Sequence, residues 1–325
     1  MYNLIDIKLV HLEVTSKCQA SCPMCARNIQ GGIENPLITL DEITLEQFKE
    51  WFPVDFIKQL DRLYMCGNLG DPVVAKDTLP IFQYLRETNP NIVLGMNTNG
   101  SAKSWQFWKG LAEVDVHVRF GIDGLSGAHE LYRIGTNWVK ILDNARYFIN
   151  AGGNATWDML VFDHNKHQVD ICKELSESLG FKNFVSKNTA RFKDDSLNVL
   201  DKTGRTTHIL YPTDRSRNII TKVQEATLTK ISCKVKKQGS LYVSASGYVS
   251  PCCWLDNKWM PPNNPNRIDY MDQIGNHPNL NEHSLETIFQ QDTFGQIEDT
   301  WTTCSPLKEC SKQCGEVDRF DEQFK

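Results

Sequence analysis

From residue 9 to residue 186 the hydrophobic pattern keeps switching between a period of two and a period of about 3.6, with short polar links between the segments. LVHLEV (9–14), RLYMCG (62–67), NIVLGMN (91–97), VHVRFGI (116–122), TWDMLVF (156–162) and FKNFVS (181–186) read as strands. Between them ITLEQFKEWF (43–52), KDTLPIFQYLRE (76–87), KSWQFWKGLAEV (103–114), NWVKILDNARYFINAG (137–152) and HQVDICKELSESLG (167–180) read as helices. Thr44, with Gln47 three residues on, makes a capping box for the first helix, and Gly180 stops the last. Strand–helix units on short links build a parallel sheet with right-handed crossovers, either open and doubly wound or curled into a barrel. In both forms the chemistry gathers beyond the C-terminal ends of the strands. The unusual segments obey that rule. A cysteine-rich loop follows the first strand, GNLGDP the second and NTNG the third, and GIDG closes the fourth.

At 325 residues the chain has room for one large α/β domain and a smaller appendage. No apolar run approaches the roughly 20 residues that cross a bilayer. The opening MYNLIDIKLV lacks the basic-then-apolar order of a secretory signal. The expectation is a soluble, cytoplasmic protein without membrane attachment. A net charge of −5 supplies no general pull toward nucleic acid. The basic stretch Lys202–Lys222, with Arg205, Arg215 and Arg217, reads as a solvated face.

Eleven cysteines without a secretion signal argue for metal or cluster ligation over disulfides. Cys18, Cys22 and Cys25 stand in EVTSKCQASCPMCAR, and Cys233, Cys252, Cys253, Cys304, Cys310 and Cys314 crowd the last third. Three thiolates on one tight loop suit one face of an iron–sulfur cube. They leave one iron open to a substrate or cosubstrate, where an electron carrier would close it with a fourth cysteine. Cys66 is the one awkward candidate for that role; otherwise Cys66 and Cys172 read as buried apolar thiols. Zinc, which favours four ligands in two pairs, and chance are the alternatives.

Residues 1–190 thus form the main domain, polar residues 191–232 a connector or lid, and residues 233–325 a small metal-organised domain. In the last, a hairpin turns at Ala245–Ser246–Gly247, residues 257–283 are loop-rich, and residues 284–301 are helical.

The three-cysteine spacing after a first strand resembles the radical S-adenosylmethionine (SAM) superfamily. The resemblance implies an α/β fold, a partial (β/α)6 TIM-like barrel, with a [4Fe-4S] cluster on Cys18, Cys22 and Cys25. It also implies SAM chelated at the open iron and cleaved to a 5′-deoxyadenosyl radical. The electron would come from an external one-electron reductant of flavodoxin or ferredoxin type. Met24 departs from the aromatic residue usual before the third cysteine. Gly70 and Asp71 sit where the family has a Gly-Glu-Pro-like segment for the SAM amino group. Asn97 and Asn99 belong to the segment after strand three. GIDGLSGAHELYRIG resembles the segment after strand four, with Gly121 in place of a serine. Asp123 and Arg133 are its candidate ribose and carboxylate contacts. Leu160 and Val161 are candidates for packing on adenine. His129, His164 and His167 read as surface or capping histidines. Tyr64, Asp158 and Arg191 are placed near the barrel mouth with no assigned chemistry.

The C-terminal cysteines resemble the SPASM and Twitch extensions of these enzymes. Trp301 occupies one position where the full SPASM pattern has cysteine, so the resemblance implies one auxiliary [4Fe-4S] cluster. Its expected ligands are Cys233, Cys252, Cys310 and Cys314, with Cys304 as the rival. Cys253, adjacent to Cys252 in what reads as a strand, is expected to point away. A structural zinc site is the alternative. The implied activity is hydrogen abstraction from an unidentified peptide, protein or small metabolite. The competing readings are an iron–sulfur electron carrier and a zinc-stabilised binding module.

Overall fold

In the computed structural model, residues 3–189, 191–217, 231–256, 278–291, 293–302 and 306–315 are described. The first half follows the alternation of the sequence. Its elements are β1 (Leu9–Leu12), α1 (Leu45–Trp51), α2 (Val54–Gln59), β2 (Arg62–Met65), α3 (Thr78–Thr88), β3 (Val93–Thr98), α4 (Trp105–Glu113) and β4 (Val116–Gly121). Then come α5 (His129–Tyr132), α6 (Trp138–Asn150), β5 (Ala155–Val161), α7 (Val169–Ser178) and β6 (Asn183–Asn188). The capping box at α1 forms as read: Gln47 N donates to Thr44 Oγ1 and Thr44 N to Gln47 Oε1, both at 3.1 Å.

Strands β1 to β6 pair in parallel in chain order. Leu12, Met65, Met96, Val118 and Ala155 align across five of them in register, and all are fully buried. This face packs against the helices through Phe48, Phe82, Trp108, Phe120 and Phe148, which form the main core. Strand alternation sends the intervening residues to the other face. There stand His11, Tyr64, Gly95, Asn97, Arg119, Gly121, Asp158 and Lys187, so the concave lumen is polar where the helix side is apolar.

After β6 the described part of the polar connector, residues 191–217, holds regular structure that its composition does not announce. Strands β7 (Leu197–Leu200) and β8 (Thr206–Leu210) form an antiparallel hairpin. Val199 and Leu210 close a second small core with Tyr132, Phe162 and Phe192, against which Cys22 and Met24 pack.

The C-terminal segment holds α8 (Lys234–Lys237), β9 (Ser240–Val243), β10 (Val249–Ser250), α9 (Cys253–Asp256), α10 (Leu285–Gln290), α11 (Thr293–Asp299) and α12 (Lys308–Cys314). The expected hairpin is present, and Gly247 turns it with φ +84°. Strand β9 adds in parallel to the free side of β1, Leu9 opposite Ser240 and Leu12 opposite Val243. The hairpin therefore extends the main sheet, whose order becomes β10-β9-β1-β2-β3-β4-β5-β6. Among the described residues no helix is long and apolar enough to cross a membrane.

Candidate metal centre and cosubstrate site

The loop after β1 is anchored at both ends. Ser16 Oγ donates to Thr39 O at 2.7 Å and accepts from Asp41 N at 2.7 Å. Ser21 N donates to Ile134 O at 2.8 Å, tying the loop to the segment after β4. Cys25 N closes a turn on Cys22 O at 3.0 Å, and Asn28 Nδ2 donates to the same oxygen at 3.1 Å. Cys18, Cys22 and Cys25 thus stand on one loop, Cys18 close enough to Cys22, and Cys22 to Cys25, for their charges to act on each other. Burial pushes the Cys18 thiol up to about 12 and the Cys22 thiol up to about 11. Arg27 acts in the opposite direction on Cys18 and Cys25, and Arg133 on Cys22.

Around the thiols the candidate contacts form a connected frame. The Asp71 carboxylate is buried and takes four donors. Thr98 Oγ1 (2.7 Å) and Val73 N (3.0 Å) donate to Oδ1, and Asn99 N (2.7 Å) and Asn99 Nδ2 (2.6 Å) to Oδ2. Asn99 Nδ2 also reaches Cys18 Sγ at 3.6 Å, so Asn99 joins the carboxylate to the thiol loop. Gly70 lies so close to that loop that a Cβ on it would fall 1.8 Å from Thr15 O. Glu13 pins the same turn from β1, accepting from Leu69 N at 2.6 Å and Gly70 N at 3.0 Å.

On the far side Arg133 Nε donates to Asp123 Oδ2 at 2.6 Å, and Leu160 N donates to Asp123 Oδ1 at 2.6 Å. The guanidinium also acts on the Cys22 thiol, lowering it against the effect of burial. His129 is fully buried beneath this pair. Asp123 N donates to its Nδ1 at 3.0 Å, which leaves the proton on Nε2, directed at Thr136 Oγ1 at 3.0 Å. Burial, and then the charge of Arg133, depress its pKa to about 3, so it is a neutral clamp. It is an interior histidine that bonds the preceding loop, neither a surface residue nor a helix cap.

The C-terminal thiols also gather. Cys233 and Cys314 act on each other, which raises the Cys233 thiol and lowers the Cys314 thiol. Cys252 feels Cys310 and Cys314, and Cys310 feels Cys314. Cys304 lies outside the described residues. No group of His, Cys, Asp and Glu among the described residues is drawn into a closed metal-binding geometry. Two sets of thiols, three and four in number, thus act on one another at separate places.

Residues 233–315 match the SPASM family, described as an iron–sulfur cluster-binding domain. The chain is 22% identical over 201 residues to the FeMo cofactor biosynthesis protein NifB of Methanocaldococcus jannaschii, covering 54% of this chain and 66% of that protein. The structure of anSMEcpe with bound AdoMet and the Cp18Cys peptide superposes with a TM-score of 0.57 at 15% identity, over 95% of this chain and 88% of that one. Streptococcus suis SuiB bound to precursor peptide SuiA gives 0.57 at 12% identity, over 90% and 66%. The fold is that of the radical SAM enzymes, and the C-terminal segment is a SPASM domain. The chain spans 34 to 66% of the length of the curated relatives it matches.

Within this radical SAM fold the remaining candidates are distributed as follows. Alternation puts Leu160 on the lumen side of β5 and Val161 on the side of Trp157 and Met159, so the lumen contact expected of Val161 falls to Leu160. Asn97 faces the lumen, its Nδ2 donating to Cys66 Sγ at 3.4 Å. Cys172 is a core thiol as read, whereas Cys66 sits in the polar lumen. Cys253 opens the helix α9 and does not continue a strand. Its thiol acts on Tyr64 and Cys66 as well as on Cys252, and it stands at the first turn of a helix, so strand alternation does not set its direction. Trp301 lies against Cys310. His164 stacks on Phe162 at 5.5 Å, and His167 is exposed. The sequence reading missed Glu13, Arg27 and Tyr242. Glu13 accepts a short bond from Tyr242, joining β1 to the SPASM hairpin. An ionisable residue at the end of an apolar first strand was the available signal.

Proposed function

We propose that the chain is a radical SAM enzyme with a [4Fe-4S] cluster on Cys18, Cys22 and Cys25 and one auxiliary [4Fe-4S] cluster on Cys233, Cys252, Cys310 and Cys314. The single observation that carries this is the donor set. Three thiols share a loop at the C-terminal end of a parallel sheet, Arg27 and Arg133 balance their charge, and Cys66 is turned into the lumen toward Asn97. Such a set fits a cluster with one iron open. When bound, that iron and SAM supply a reductively generated 5′-deoxyadenosyl radical.

The chain's own residues orient and exclude. Asp71 and Asn99 fix the loop that carries Cys18. Arg133, held by Asp123, presents a guanidinium to a carboxylate such as that of methionine. Leu160 offers an apolar edge to adenine. Tyr132, Phe162 and Met24 keep water from the Cys22 side of the loop. The electron comes from an external reductant of flavodoxin or ferredoxin type. The substrate is a peptide, protein or small metabolite; of the similar structures, those of SuiB and anSMEcpe hold peptides. Incubation of anaerobically reconstituted protein with SAM and dithionite tests the reading. Wild type yields 5′-deoxyadenosine and Cys22→Ala yields none; equal yields would contradict it.

A further inference from the structure

The lumen carries a charged group that the cluster and cosubstrate leave unused. Arg119 on β4 donates to Asp158 Oδ2 on β5 from Nη2 at 3.0 Å and from Nε at 3.3 Å. Lys187 on β6 reaches the same oxygen at 3.3 Å. The three side chains retain only 15, 23 and 24% exposure. Two cations thus crowd one carboxylate oxygen. The other oxygen, Asp158 Oδ1, is buried and has no partner, and the same is true of Asn97 Oδ1. Asn97 stands opposite Arg119 in register.

A purely structural ion group would satisfy both carboxylate oxygens, because a bare buried acceptor is costly. Here the acceptors that lack donors stand on the same face of the sheet as the two cations. Asp158 lies two residues, about 7 Å, below Leu160, whose N–H holds Asp123. The group is therefore one layer beneath the cosubstrate frame, on three adjacent strands that fix its geometry. Arg191, which makes no ion pair among the described residues, adds charge from above, acting on Cys25, Cys66 and Tyr132.

We propose that Arg119, Asp158 and Lys187, with Asn97, form the substrate subsite, and that it takes a small hydroxylated molecule bearing a carboxylate or phosphate. The anion sits on Lys187 and Arg119, and hydroxyl protons go to Asp158 Oδ1 and Asn97 Oδ1. This deepens the radical SAM reading and rests on it for the role of the lumen.

Calorimetric titration of the full-length, anaerobically reconstituted protein with glycerate, glycerol 3-phosphate and glycerol tests the site. At least one anion binds tenfold or more tightly than glycerol, and the tighter one identifies the carboxylate or the phosphate as the preferred group. Lys187→Met weakens that anion at least tenfold, Arg191→Met several-fold, and the surface control Arg146→Met leaves it unchanged. Anions binding no better than glycerol, or Lys187→Met binding like wild type, would overturn the proposal. Formation of 5′-deoxyadenosine by the same wild-type preparation is read separately, so either idea can fail without the other.

Discussion

Gly121 leaves the space of its missing side chain to Arg133: a Cβ there would lie 2.8 Å from Nη2 and 3.1 Å from Cζ. The serine that the family resemblance expects here and this guanidinium cannot occupy the same place, and Asp123 holds the guanidinium where it is. Gly121→Ser therefore displaces Arg133 from its carboxylate-facing position. SAM affinity falls about tenfold, or ~1.4 kcal/mol, and the thermal midpoint falls as well, because the buried Asp123 carboxylate loses part of its hold on its partner. Equilibrium binding of SAM beside a melting curve checks both halves.

Gly70 contrasts with Gly152. A Cβ on Gly70 meets the backbone of Thr15 at 1.8 Å, whereas Gly152 has nothing within 4 Å and only its φ of +92° to protect. Gly70→Ala must separate two backbone segments and costs about 3 kcal/mol or more. Gly152→Ala costs about 1 kcal/mol, the strain of a left-handed residue. Urea unfolding of the two variants gives that order; the reverse order would contradict the close approach.

The scaffold was legible because the strands of a covered parallel sheet bury one face under helices, so their apolar residues recur without ambiguity. The thiol loop, the segment after β3 and the segment after β4 were legible because they fall at strand ends. What escaped depends on distance along the chain. The pairing of β9 with β1 joins residues on opposite sides of the main domain, and no local pattern announces it. The β7–β8 hairpin hides in a polar stretch because only Val199 and Leu210 are fully buried in it. Helix α2 was passed over because Pro53 divides it from α1. The lumen group of Arg119, Asp158 and Lys187 is invisible until three strands are set in register.

The two adjacent cysteines of the SPASM domain carry different expectations. Cys252 acts together with Cys310 and Cys314, whereas Cys253, which opens α9, acts on Tyr64 and Cys66. Cys252→Ala loses the iron of the auxiliary cluster, about half of the total in a protein with two [4Fe-4S] centres. Cys253→Ala retains it. Iron and sulfide analysis of the two reconstituted variants distinguishes them, and equal losses would contradict that difference.

Burial depresses His129 to about 3 and His11 to about 4, against an ordinary 6.5. Between those values the unfolded chain holds protons that the native protein does not. Stability is therefore full above 6.5 and falls as the pH drops, by up to about 1.4 kcal/mol per pH unit for each group. His129→Gln removes one such group, so its stability declines less steeply from about pH 6.5 to about pH 5.5 than that of wild type. Chemical denaturation across that range measures the slope, and parallel slopes would contradict the buried neutral clamp.

The central claim is that the Cys18–Cys22–Cys25 loop leaves one iron position for SAM. Electron paramagnetic resonance of the dithionite-reduced Cys252→Ala/Cys310→Ala protein, with and without SAM, tests it most directly, because only the first cluster contributes. The account predicts a cluster signal that shifts when SAM is added and disappears when Cys22 is also replaced. A signal indifferent to SAM, or one that survives the loss of Cys22, would contradict it.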